Sequence, residues 1–186
     1  MSVLSRVSRG LRYALLCAAC PAVIASEAPR QGHTHSHGAH AHGKGELELL
    51  VDGRTIQGVF RTPMDSLLGF EHAPKTEAQR NAVLTLRTRL ANSATILSPN
   101  PEAQCTPKHQ EAASSLFTGT TQGGHSDLAY HFTFDCAEPE RLTSLELAVL
   151  KDFKRLTEVR VQLVTASAQR AFVLRKRDPR VDLTKR

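Results

Sequence analysis

Through "SDLAYHFTFDC", Leu128, Tyr130, Phe132 and Phe134 alternate with Asp127, Ala129, His131 and Thr133. A period of two places four large apolar side chains on one face of an extended strand, and that face needs another layer to cover it. The same alternation recurs earlier, where Leu47, Leu49 and Val51 interleave with Glu46, Glu48 and Leu50. Asp52-Gly53 then marks a two-residue hairpin turn. The returning strand carries Ile56, Val59 and Phe60, with Gly58 a candidate bulge. "SLELAVL" and "EVRVQLVT" read as further strands, with "KDFKRL" a short helix or turn between them. Ala166-Ser167-Ala168-Gln169 turns the second of these into "RAFVLR".

Only one segment carries a sustained helical period. In "TEAQRNAVLTLRTRLANS", Ala82, Val83, Leu86 and Leu90 share a face, and Thr76 with Gln79 forms a capping box. "TPMDSLLGFEHAPKT" has the composition of a loop, and 98–124 reads as irregular apart from short pieces around Cys105. The expected fold is α+β, an antiparallel sheet of hairpins with one main helix, forming a single domain over 46–186. That length suffices for one hydrophobic core.

Ahead of the domain stand two segments of different character. Arg6, Arg9 and Arg12 precede the apolar "YALLCAACPAVIA", which is too short to cross a bilayer and ends in small residues. This is the pattern of a secretory signal peptide over 1–25. It implies a periplasmic protein, with a lipid anchor at Cys20 as a minor alternative. Residues 26–45 are rich in Pro, Gly, Ser, His and Ala without apolar periodicity and read as a disordered arm. Removing the three signal arginines from 24 basic and 18 acidic residues leaves 21 against 18. That balance, with no Trp, argues against a nucleic-acid partner.

The arm contains "GHTHSHGAHAHG", five of the nine histidines in twelve residues: His33, His35, His37, His40 and His42. Neutral imidazole is a ligand for Zn²⁺, Cu²⁺ and Ni²⁺, and a spacing of two presents several rings to one ion. The small residues between them let the backbone close round a cation. The bland reading is a polar tail in which the histidines only solvate the chain. Elsewhere, His72 follows Glu71 in a loop, where a histidine beside an acid serves equally as a ligand or a surface residue. An extended segment puts His125 and Asp127 on one face, a pairing that suits a metal or simple hydrogen bonding. His109 and His131 read as surface or packing residues. With Cys17 and Cys20 in the signal segment, Cys105 and Cys136 remain as an even pair, which in an oxidising compartment reads as a disulfide. The other use for two thiols, joining histidines round a metal, lacks zinc-finger spacing.

Together, the His-rich arm, "GELELLVDG", "DSLLGFEHAPKTEAQRNAV", "HSDLAYHFTFDC" and "LTEVRVQLVT" resemble the bacterial zinc-uptake accessory proteins called ZrgA, over 32–182. The most specific stretch is "LLGFEHAP". The resemblance implies a non-catalytic periplasmic protein that binds Zn²⁺ and supports its import beside an inner-membrane zinc transporter. It favours the arm histidines as metal ligands, adds His72 and His125 with Glu71 and Asp127 as secondary donors, and supports the Cys105–Cys136 bridge. One departure is that 100–124 holds only His109, where some members carry a longer His/Asp-rich insertion. Two other functions stay open: a periplasmic buffer or chaperone for copper or nickel, and a metallohydrolase using Glu71, His72 and His125. No hydrolytic motif accompanies the latter set, so no enzyme is expected.

Overall fold

The computed structural model describes residues 41–120 and 124–184. The expected signal peptide, Cys20, and His33, His35, His37 and His40 lie outside them. In chain order the elements are β1 (Lys44–Asp52), β2 (Thr55–Pro63), α1 (Asp65–Leu68), α2 (Glu77–Leu90), β3 (Ser98–Pro99), β4 (Cys105–Ala113) and α3 (Ser115–Thr118). They continue with β5 (Asp127–Cys136), β6 (Ser144–Glu146), α4 (Ala148–Asp152), β7 (Glu158–Thr165), β8 (Gln169–Arg175) and β9 (Arg180–Asp182). Among the described residues no helix is long and apolar enough to cross a membrane.

The fold is α+β. One six-stranded sheet has the order β4-β5-β2-β1-β7-β8, and a small sheet pairs β3-β6-β9. Among the described residues every strand pairing is antiparallel except one: β1 and β7 run parallel, from Lys44 opposite Glu158 to Val51 opposite Thr165. A chain of hairpins cannot produce that pairing, which needs a long crossover, and here it spans the whole middle of the domain.

The alternations behave as the period dictates. Leu47, Leu49, Ile56, Phe60, Leu128, Tyr130, Phe132, Phe134, Val159, Val161 and Leu163 are buried on the inner face of the large sheet, in one cluster with Val83, Leu86 and Leu90 of α2. The helix starts as expected, with the Thr76 hydroxyl accepting from Gln79 N–H and the Gln79 side chain accepting from the Thr76 N–H. Glu48, Leu50, Gln57, His131 and Gln162 occupy the outer face and are exposed.

Several local expectations change. Gly58 is not a bulge: it sits in register between Leu49 and Phe132. A Cβ there would collide with the Glu48 carbonyl and lie 2.6 Å from the Phe132 ring, so the glycine makes room for both a neighbouring backbone and an aromatic side chain. The loop after β2 contains the short helix α1, and "SLELAVL" divides into β6 and α4. The largest difference is β4, a nine-residue strand where irregular chain was expected. It is the sheet's edge, exposed along most of its length, and its register shifts between Pro107 and His109. An edge strand needs no alternating apolar pattern and tolerates proline at a bulge.

Cys105 faces Cys136 across the β4–β5 ladder, and the two form a disulfide.

Candidate functional site

Strand direction gathers the chemistry at one end of the large sheet. β1, β5 and β7 begin there, while antiparallel β2 and β4 end there. His42 lies just before β1 and His125 just before β5, while β2 delivers α1 and the loop carrying Glu71 and His72. Arg155 and Thr157 precede β7 at the same edge.

Two anchors fix the histidine-bearing segments. The Gly43 N–H donates to Ser66 Oγ at 3.0 Å, and its carbonyl accepts from Thr157 N–H at 2.7 Å and from Thr157 Oγ1 at 2.9 Å. Gly43 has φ +78°, and a Cβ there would come within 3.0 Å of the Arg155 carbonyl, so both conformation and space demand glycine. At the other histidine, the Ser126 carbonyl accepts from Met64 N–H at 2.8 Å. Its buried hydroxyl lies 2.9 Å from Ser114 Oγ and 2.7 Å from Ser115 Oγ.

Between these anchors lies Glu71, only 8% exposed. Its Oε1 accepts from His42 Nε2 at 3.2 Å and from His125 Nδ1 at 2.5 Å. Oε2 is buried and has no hydrogen-bond partner among the described residues. A carboxylate oxygen in that position has lost its hydration and received no donor from the described residues, which is costly for an anion. A cation at Oε2 would restore what burial removes.

Asp65 is the second buried carboxylate. Arg155 Nη2 donates to both its oxygens at 3.1 Å, and Arg155 Nε donates to its carbonyl at 3.1 Å. Asp65 Oδ2 is 3.6 Å from His42 Nδ1, an ion pair only when that imidazole is protonated. With one guanidinium against two buried carboxylates, positive charge on the imidazoles or on a bound ion completes the balance.

The donors converge on an oxygen rather than on an empty point. Among the described residues no three His, Cys, Asp or Glu side chains are already arranged to hold a metal ion. A cation would have to replace the N–H protons that the two imidazoles now direct at Oε1, drawing one nitrogen from each ring to itself. The donor set suits such an ion chemically, since two imidazoles and a carboxylate make a borderline nitrogen–oxygen combination.

A sequence profile described as ZrgA family zinc uptake protein matches residues 39–183. The chain belongs to that family. Its role is in zinc uptake, and zinc is the ion with which the ZrgA family is associated. No curated protein matches the chain.

The expected donors therefore divide. His42, Glu71 and His125 come together although 29 and 54 residues separate the histidines from the glutamate. His72 is turned elsewhere, with Nδ1 2.9 Å from the Ala73 carbonyl and its ring against Phe70 at 5.5 Å between centroids. Asp127 opens β5 opposite Pro63 and is exposed. Sequence reading passed over Asp65 and Arg155. The stretch from Asp65 to Gly69 is a single helical turn, a weak signal that would have folded Asp65 back towards Glu71. Nothing local points to Arg155, 90 residues away.

Proposed function

We propose that this ZrgA-family protein is a non-catalytic periplasmic zinc carrier that takes Zn²⁺ at His42, Glu71 and His125 and presents it to an inner-membrane transporter. The observation behind this reading is the buried Glu71 carboxylate, with two imidazoles on one oxygen and no described partner on the other. On binding, each imidazole would carry its proton on the other ring nitrogen and offer the nitrogen now at Oε1 to the ion, with Glu71 neutralising part of the charge and Asp65, held by Arg155, keeping the His42 ring oriented. Three protein donors leave zinc one tetrahedral position. His33, His35, His37 and His40, outside the described residues, are proposed as further zinc ligands of the arm. The expected signal peptide supports export, and its compartment is where zinc from outside the cell is first met.

Zinc titration by calorimetry tests the site. E71Q keeps the shape of the side chain and removes its charge. Losing one donor should weaken zinc binding by about tenfold or more at neutral pH, and H42A/H125A should weaken it further. Affinity should also fall in mild acid, because protons and zinc compete for the same nitrogens. Matching isotherms for the wild type, E71Q and H42A/H125A would remove Glu71 from the site. Competition with Cu²⁺ and Ni²⁺ in the same titration decides between zinc and the buffer alternative.

A further inference from the structure

The outer face of the large sheet carries a second group of donors. β4 is tied inward at Gln110: its Oε1 accepts from the Ser93 N–H at 3.0 Å, and its Nε2 donates to the Ala91 carbonyl just after α2. Side chains alternate along a strand, so fixing Gln110 inward sends His109 and Glu111 outward. His109 Nε2 lies 3.8 Å from Glu111 Oε2. On the neighbouring strand, His131 is the register partner of Glu111. Directly opposed residues of an antiparallel pair have Cβ atoms about 4.5–5.5 Å apart, and diagonal neighbours remain within reach of long side chains. Glu111 is thus flanked by one imidazole two residues before it and another across the ladder. All three line an open groove of about 720 Å³ over the sheet, together with Thr133 and Glu48.

We propose that His109, Glu111 and His131 form a second site for a divalent cation of the Zn²⁺ class, independent of Glu71. The chemistry is the same borderline nitrogen–oxygen set, but the setting differs. All three side chains are exposed, so they turn onto an ion without disturbing the core. The bulge between Pro107 and His109 re-aims His109 at the edge of the sheet, as bulges do. β4 and β5 are also tied together by the Cys105–Cys136 bridge, which keeps the two halves of the site in register. The position is four residues along β5 from the strand's start, about 13 Å from the end of the sheet that holds Glu71.

The test follows imidazole resonances of the full-length protein by NMR during titration with zinc chloride, with H109A and H131A spectra used for assignment. His109 and His131 should move together with one half-saturation concentration. In E111Q that concentration should rise about tenfold, while in H42A/H125A it should stay within about threefold of the wild type. Resonances that stay fixed at saturating zinc, that follow two separate curves, or that ignore E111Q would each overturn the site. So would loss of the response in H42A/H125A, which would make it an echo of the other end. Because E71Q calorimetry and these resonances read different residues, the outer-face site and the Glu71 site fail separately.

Discussion

The two ends of the six-stranded sheet are built on opposite terms. The end where β1 turns into β2 is closed by a tight turn, an exposed ion pair and a covalent bond: the Asp52-Gly53 turn, Arg54 paired with Asp135 at 2.6 and 2.9 Å, and the Cys105–Cys136 bridge beside them. At the other end the ties are polar bonds across 23, 29, 54, 90 and 114 residues, and they meet at Gly43, Glu71 and Asp65. One end limits how the chain can come apart, and the other concentrates buried charge that only a cation or protons can balance. Stability and the proposed ion chemistry are thereby separated by the length of a strand.

The sharpest way to test this division is to open the closed end. C105S/C136S should lower the unfolding free energy by about 3–4 kcal/mol, since the bridge closes a loop of 31 residues. Zinc affinity at Glu71 should change little, as read by denaturant unfolding and calorimetry on the same protein. A large loss of zinc binding would mean that the two ends are coupled.

Tyr130 lies inside the core between the ends, fully buried, and its hydroxyl has no hydrogen-bond partner among the described residues. Burial pushes this phenol up to about 12. The folded protein therefore holds a proton that the unfolded chain releases near pH 10. Stability should be intact below pH 10 and fall by about 2–3 kcal/mol as pH rises to 12. Y130F should remove that alkaline loss, measured as the midpoint of unfolding against pH.

The smallest effect on stability should be the most selective one. G43A puts a side chain at positive φ and should cost about 1–2 kcal/mol. Because Gly43 sets the position of His42, zinc binding should weaken alongside. A variant that loses the stability and keeps the zinc affinity would separate the backbone anchor from the ion.

The sequence made the inner face of the sheet legible because a period of two in Phe, Tyr and Leu has one physical solution. The capped helix was legible for a similar local reason. β4 was hidden because "CTPKHQEAA" is an edge, where backbone pairing is sustained without apolar side chains and proline is tolerated. Gly58 was misread as a bulge because its reasons for being small, the Glu48 carbonyl and the Phe132 ring, lie on the two neighbouring strands. Glu71 and His125 stood out by residue type. Their meeting did not, because it depends on which strands are antiparallel and where β2 ends. The parallel partner of β1 was invisible for the same reason: nothing in Lys44–Asp52 names a strand that begins at Glu158.

That parallel pairing also sets a timetable. The chain makes β1 first, yet one side of β1 has no partner until β7 has been synthesised more than a hundred residues later. Until then the β1–β2 hairpin presents an unpaired row of amides and carbonyls, the kind of edge that invites other chains. Thr157 closes on Gly43 in the same late event, so the Glu71 end is finished only when β7 docks. A nascent or truncated chain would carry every donor named at that end and still lack the arrangement that makes them a site.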